Sequence, residues 1–434
     1  MTILKEGTGS LSANLSESFE LGEGSIARIL KVGELELRSS LRVRATGEKD
    51  WDAWWLSFLR GGIPNFLSGK LVPLRSVDLF SSAGGLSLGV SQAALALGYK
   101  LSSQLAADLD GDALATYKAN FNPLLVANKS VRSLIDFQVL GDSESAELAY
   151  APRALAEASE ISGGVDVVMG GPPCQGHSSL NNHTRGKDIR NDLYLTLPAL
   201  AIALDSQTLI IENVPRVVLD HGRVVRSSIQ VLKDAGYFVT TGVLSADDFG
   251  WPQTRSRHFL IASKRKQPLN LEEVSQGFGR ESRPLNWLIG DLEDKFNPDS
   301  LFDSAPTLSF ENQKRIEWLF ENNAYELANH VRPLCHQDGH TYPSVYGRLH
   351  GTKPSPTITT GFQSPGRGRY VHPSRPRVIT AHEAARIQGF PDGFRFEVTE
   401  GKKLQRTHLQ KWIGDAVPSI LGYVAGLIAL ETLS

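Results

Sequence analysis

The feature that most constrains this chain is a series of short, unbroken apolar runs, each closed by small or acidic residues and separated by helix-like stretches. Ser76-Val77-Asp78-Leu79-Phe80 ends in the small-residue turn Ser81-Ser82-Ala83-Gly84-Gly85, and a helix is predicted over 86–97. Residues 101–107 form the next run, closed by Asp108-Leu109-Asp110. Residues 165–169 lead into Gly170-Gly171-Pro172-Pro173-Cys174. A helical pattern covers 193–204, and the run 208–211 ends in Glu212-Asn213. Later strands are expected over 237–244 and 258–262. Continuous apolar strands cannot face water on either side. Alternating with helices, they predict a mostly parallel sheet covered on both faces.

The fold class expected is therefore α/β, with a Rossmann-like sheet. Ligands in such sheets sit beyond the carboxyl ends of the strands. At the first end, Gly84 and Gly85 let backbone approach a ligand closely. At the second, the Asp108 carboxylate is placed to accept two ribose hydroxyls. A plain tight turn is the alternative reading of the glycines. Their spacing is not G-x-G-x-x-G, and no G-x-x-x-x-G-K-[ST] occurs, which lowers dinucleotide and triphosphate readings.

Two further strand ends carry chemistry. Pro172-Pro173 stiffens the approach to Cys174, and a thiol in a Pro/Gly loop suits a held nucleophile better than a buried structural cysteine. Glu212 closes a fully apolar strand, a costly place for a carboxylate without a partner or a task. Cys174 and Glu212 form a candidate nucleophile–acid pair. His177 suggests a Cys–His hydrolase, but no orienting carboxylate is placed for it. Arg255 and Arg257, in Gln253-Thr254-Arg255-Ser256-Arg257, point the same way if a strand has begun; exposed surface arginines are the alternative. Cys335, beside His336, is read as incidental.

Outside this pattern, residues 1–70 form an extension of unknown role. Trp51, Trp54, Trp55 and Phe58 recur at helical spacing, which predicts a helix packed on the main body; stacking on nucleic acid is the alternative. Residues 264–375 are irregular, with β-like pieces such as Ser355-Pro356-Thr357-Ile358-Thr359-Thr360, and predict a smaller second domain. The sheet domain spans 71–263, and 376–434 returns to it through a C-terminal helix. In 434 residues, Lys plus Arg (45) nearly balance Asp plus Glu (47), which disfavours a tail-type nucleic-acid binder. A local basic face remains open: 364–411 holds ten Lys/Arg against four Asp/Glu. Two cysteines exclude a disulfide framework. No export signal is expected at residues 1–15, and the apolar stretch 420–430 is too short to span a bilayer.

Taken together, the motifs resemble those of the DNA cytosine C5-methyltransferases of bacterial restriction–modification systems. Asp78-Leu79-Phe80 with Gly84-Gly85 resembles the cofactor loop, Gly171-Pro172-Pro173-Cys174-Gln175-Gly176 the nucleophile loop, and Glu212-Asn213-Val214 the acidic motif. Gln253 to Arg257 resembles the paired-arginine motif. Arg377 to Thr380, with Glu383-Ala384-Ala385-Arg386-Ile387-Gln388-Gly389-Phe390-Pro391, resembles the late motif that braces target recognition. Gly414-Asp415-Ala416-Val417-Pro418 resembles the motif closing the cofactor pocket. All six occur in the family's order over about residues 75–434.

The resemblance implies site-specific methyl transfer from S-adenosylmethionine to C5 of a flipped cytosine in duplex DNA. Cys174 would add to C6, Glu212 would hold N3 and the exocyclic amine, and Arg257, with Arg255 nearby, would contact the base carbonyl or fix Glu212. Phe80, Ser81, Ser82, Ala83, Gly84, Gly85, Asp108, Leu109, Ser130, Pro173, Leu193, Asp415 and Ala416 would line the cofactor site. Gln175, Gly176, His177 and Ser178 would close over the base, and Arg367, Arg369 and Arg377 would meet DNA. Residues 264–375 become the target-recognition domain. A cytoplasmic monomer without a bound metal, working beside a cognate restriction or defence system, is the setting implied.

The chain departs from the family at Ser82, where glycine is usual, at Ser130 for an aspartate, at His177 for a phenylalanine and at Asp415 for an asparagine; Leu109 stands where a larger side chain is common. These bear on cofactor affinity, and a carboxylated donor is an alternative. An RNA cytosine methyltransferase, a DNA-binding module without turnover and a dinucleotide oxidoreductase are the rival functions.

Overall fold

A computed structural model describes residues 9–11, 15–43, 50–173, 193–219, 223–295, 297–337 and 344–434. The N-terminal extension folds into an antiparallel sheet of β1 (Gly9–Leu11), β2 (Leu15–Gly22), β3 (Ser25–Val32), β4 (Leu35–Arg42) and β5 (Asn65–Phe66), paired in that order. Two-residue turns containing Gly24 and Gly33, both at positive φ, link β2 to β3 and β3 to β4. Alternation turns Ile26, Arg28 and Leu30, with Leu37, Ser39 and Leu41, to the buried face. Helix α1 (Asp50–Leu59) buries Trp51, Trp54, Trp55 and Phe58, each 5% exposed or less. Trp55 meets the rings of Trp251 and Tyr423, and Trp51 stacks on Trp287. These aromatics are spent on packing, and no face is left for nucleic-acid stacking.

The second sheet has seven strands. Its elements are β6 (Val72–Leu79), α2 (Gly85–Ala96), β7 (Tyr99–Asp108), α3 (Gly111–Phe121), β8 (Leu125–Asn128), β9 (Val167–Gly170), α4 (Thr196–Ala203), β10 (Thr208–Asn213), α5 (Val224–Asp234), β11 (Phe238–Ser245) and β12 (Ser256–Ser263). The spatial order is β11-β12-β10-β9-β6-β7-β8. Only β12 runs against the rest. β9 and β10 are buried at every position, as their continuous apolar sequence requires.

The C-terminal helical pattern divides into α8 (Arg406–Asp415) and α9 (Ser419–Leu430), after a short α7 (Ala381–Ile387), with the break before Pro418. Every residue of α9 is buried. Its glycines explain how: a Cβ on Gly422 would lie 2.9 Å from Leu86 O, and one on Gly426 2.7 Å from Ala93 Cβ. A Cβ on Gly89 of α2 would lie 2.3 Å from Ser419 O. The backbones of α2 and α9 thus cross at a distance only glycine permits. The antiparallel sheet closes over this pair. Arg28 of β3 lies over Trp54 (4.5 Å) and Tyr423 (5.4 Å), its Nη2 donates to Gln92 O (3.4 Å), and Tyr423 donates its hydroxyl to buried Glu17. The extension is one flank of the sheet domain's core. Between 264 and 375, β pairing among the described residues is limited to isolated bridges, and helices such as Leu271–Phe278 and Phe310–Glu321 supply the regular structure.

Candidate active site

The side of the crevice at the ends of β6 and β7 is built mainly from backbone. β6 ends at Leu79, and the chain turns through Phe80 (φ 57°), Ser82 (φ 45°) and Gly84 (φ 92°). Ser81 N donates to Ala107 O (3.1 Å), which holds the turn against the end of β7. A Cβ on Gly84 would fall 2.3 Å from the Phe121 ring, and one on Gly85 2.9 Å from Ala416 Cβ and Val417 O. Close approach therefore requires glycine at both positions, and φ requires it at Gly84 as well. Asp108 closes β7. Its Oδ2 accepts from Ser82 N and its Oδ1 from Asp110 N, both at 2.9 Å. Asn128, at the end of β8, donates its amide to the carbonyls of Asp108 and Leu109. Leu109 is 75% exposed. Asp110 caps α3 and also takes Lys411 Nζ (2.9 Å) and Trp412 Nε1 (3.2 Å), which ties α8 to this rim.

The opposite side is built from buried charge. Consecutive strand ends bring residue 171 beside Glu212: a Cβ on Gly171 would lie 2.9 Å from Glu212 Oε2. Asn213 donates its amide to Pro172 O (3.2 Å), fixing the approach to Cys174. Glu212, 8% exposed, pairs with Arg257 (Nε to Oε1 2.7 Å). Burial raises the Glu212 carboxyl above the ordinary carboxylate range, against the lowering pull of Arg257 and Arg255. Tyr194 lies buried near this carboxylate, and burial, with the Glu212 charge, raises its hydroxyl.

The paired arginines have different tasks. Arg255, 3% exposed, donates Nη1 to Ile358 O (2.6 Å) and Gly414 O (3.1 Å). It clasps the 355–360 segment and the closing motif to the start of β12. Gln388 extends the clasp by donating to Ile413 O (2.6 Å) and Ala416 O (3.1 Å). A Cβ on Gly414 would lie 2.3 Å from Thr360 N, so the two segments touch there.

Of the arginines expected on DNA, two make bracing contacts within the fold. Arg377 binds both oxygens of Glu383, at 2.8 and 2.7 Å. Arg369 donates to Tyr325 O, Arg348 O and Glu326 Oε1. In a sequence, a bracing and a phosphate-binding arginine look alike; burial separates them. Arg367 is exposed. Ser130 is exposed and its carbonyl accepts from Ser133. Leu193 is half-buried in the turn before α4, Pro173 is half-buried, Ala416 is buried, and Asp415 is exposed beside them in sequence. Cys174, Gln175, Gly176, His177 and Ser178 lie outside the described residues. Sequence reasoning missed Asn128 and Lys411; the one hint was Asp110, whose position three residues before Ala113 marks an N-cap.

The comparisons with known proteins agree with this geometry. The family described as C-5 cytosine-specific DNA methylase matches residues 74–425. The chain is 41% identical over 355 residues to the Type II methyltransferase M1.BsuMI of Bacillus subtilis, covering 82% of this chain and 80% of that protein. It is 29% identical over 367 residues to M1.HphI of Haemophilus parahaemolyticus, covering 82% and 87%. Among solved structures, S. pombe Dnmt2 methyltransferase superposes with a TM-score of 0.54 at 17% identity, covering 83% of this chain and 99% of that one, a likeness of fold. A family match that begins within β6 and ends inside α9 takes in every strand end just described, and the chain belongs to the C-5 cytosine-specific DNA methylases.

Proposed function

We propose that this DNA cytosine-5 methyltransferase is the modification enzyme of a Type II restriction–modification system. It takes S-adenosylmethionine as methyl donor and forms a covalent bond from Cys174 to C6 of a cytosine flipped out of duplex DNA. The observation that carries the reading is the adjacency of three strand ends. β6, β9 and β10 are neighbours, so the 80–85 loop, Pro173 and Glu212 fall in register across about 10 Å, two interstrand spacings. A donor at one end and a pyrimidine at the other lie within reach of one transfer.

The residues fit the donor. Each Asp108 oxygen accepts one backbone N–H and keeps acceptor capacity for a ribose hydroxyl. Leu109 offers exposed apolar surface for a purine. The 81–85 backbone is open to close approach, and Asp108 and Asp415 favour a sulfonium charge. When bound, S-adenosylmethionine supplies an electrophilic methyl group.

The chain's own residues do the rest. Cytosine C5 is a poor nucleophile. Addition of the Cys174 thiolate to C6 pushes electron density to C5 and negative charge toward N3 and the carbonyl. Glu212, whose carboxyl burial raises above the ordinary carboxylate range, is taken as the acid that bonds N3, and Arg257 fixes the carboxyl in place. Once C5 carries the methyl, loss of its proton and departure of the Cys174 sulfur restore the aromatic ring. Neither face of C6 is open in a stacked duplex, so the base must be extruded. The reading takes the enzyme as a cytoplasmic monomer. Bisulfite sequencing of DNA from expressing cells is expected to show methylated cytosines at one short site. Cys174→Ala is expected to abolish them while duplex binding persists; methylation that survives would overturn the assignment.

A further inference from the structure

The cofactor loop holds an unfavourable backbone. Of the nine non-glycine residues with positive φ among the described residues, two, Phe80 and Ser82, fall within three positions of each other. The left-handed region brings Cβ against the backbone for every residue but glycine. Such a conformation persists only where its surroundings over-determine it. The surroundings here are specific. Asp78 precedes the turn on β6, and Ser87 follows it in the first turn of α2. Ser87 donates its hydroxyl to Asp78 Oδ2 at 2.6 Å. Its oxygen lies 2.9 Å from Tyr117 OH on α3, and with the serine proton committed to Asp78 the tyrosine is the donor. Tyr117 in turn lies 3.4 Å from Ser103 Oγ on β7. Ser87 and Tyr117 are 0% exposed and Asp78 2%.

We infer that Ser87, supported by Tyr117, is a positioning residue for the cofactor. By bonding to Asp78 it closes the 79–86 turn at both ends and holds Phe80 to Gly85 in the conformation that receives S-adenosylmethionine. Neither side chain touches the donor. The inference rests on the reading that this loop binds S-adenosylmethionine. Three observations support it. The bond joins residues nine apart across the loop itself. The Tyr117 ring also walls off Gly84, where a Cβ would lie 3.1 Å from Cδ2. Burial pushes Asp78 up to about 7, and its bond to Ser87 pulls the other way, so the loop's anchor depends on this hydroxyl.

The test uses full-length protein, with S-adenosylmethionine titrated by calorimetry and methylation measured at saturating DNA. Ser87→Ala is expected to weaken S-adenosylmethionine binding about tenfold or more, the scale of a lost bond to a charged group. Its kcat at saturating donor is expected to stay within about twofold, because the base-side groups are untouched. Tyr117→Phe is expected to lose less, about threefold, since the Ser87–Asp78 bond survives. The decisive variant is Ser82→Gly in the Ser87→Ala background. Glycine takes a φ of 45° freely, so the double variant is expected to recover at least about threefold of the lost affinity. Thermal unfolding of each variant separates this from plain destabilisation. If the wild type binds donor and Ser87→Ala binds equally well, the positioning role is overturned. It is also overturned if affinity tracks thermal stability and Ser82→Gly restores nothing. If the wild type itself binds no S-adenosylmethionine, the cofactor reading fails first.

Discussion

The two sides of the crevice are held by different physics. On the side proposed for the cofactor the working surface is main chain: left-handed residues, glycines with no room for a Cβ, and an aspartate fixed by two backbone amides. On the side proposed for cytosine it is side chain: a buried carboxylate, its arginine, and an asparagine bonded to Pro172 O. The first is sensitive to changes in backbone freedom, the second to changes in charge. The difference suits the partners proposed. A nucleoside donor whose charge is already present is matched by shape and by a fixed carboxylate, whereas a base that gains charge during addition needs a preorganised acid.

The largest expected effect comes from breaking the charged side alone. Glu212→Gln removes the proton donor while preserving volume. The single-turnover methylation rate is expected to fall by about 10²–10³-fold, the usual scale for one lost transition-state donor. Donor affinity measured by calorimetry is expected to be unchanged; a parallel loss would show that the two sides are not separable. The same residue sets a pH limb. As the proposed acid Glu212 acts protonated, and burial raises its pKa, so kcat/KM is expected to fall as pH climbs through that raised value. Arg257 lowers the Glu212 pKa, so Arg257→Gln is expected to move the limb to higher pH in the residual activity. A static or downward-moving limb would remove Glu212 as the acid.

An effect on stability, and not on the chemical step, tests the brace at Glu383. Glu383 is 1% exposed, and despite burial its bonds to Arg377 and the nearby His372 hold its carboxyl down at about 2. Arg377→Ala strands that charge and is expected to cost about 3–5 kcal/mol of stability in urea unfolding. Because the folded pKa lies below the unfolded one, the stabilisation is present above about pH 4.5 and is lost as pH falls toward 2. Glu383→Gln is expected to flatten that acid limb.

How much of this was legible in the sequence follows the same division. Strand ends carrying Asp108, Pro173 and Glu212 were visible because an apolar run stopped at a residue it could not tolerate. The order of the strands was not visible, yet it is what puts β9 beside β10 and sets β6 between β9 and β7. The antiparallel sheet at 9–42 escaped notice because its buried face mixes Arg28, Ser39 and Glu17 with leucines, which blurs the period-two signal. Arg28 bonds Ser39 across the strand pair and Gln92 far along the chain, and Glu17 is met by Tyr423. Arg255 and Arg257 were indistinguishable as a pair. Register faces one toward Glu212, and tertiary contact takes the other to Ile358 and Gly414.

The smallest expected effect sharpens the same lesson among arginines. Arg367 and Arg369 are two residues apart in one basic loop, but Arg369 is committed to two carbonyls and Glu326, while Arg367 is exposed with its stem over Gly361. A side chain already paired has little to offer a phosphate; an exposed one has its whole charge. Arg367→Ala is therefore expected to weaken duplex binding only a few-fold, equally for all sequences, and to reduce the slope of log K against log salt by about one. Arg369→Ala is expected to leave that slope nearly unchanged and to lower the unfolding midpoint instead. Fluorescence anisotropy over a salt series, run beside thermal unfolding, reads both. If the two variants change salt dependence alike, exposure does not decide which arginines of this loop meet DNA.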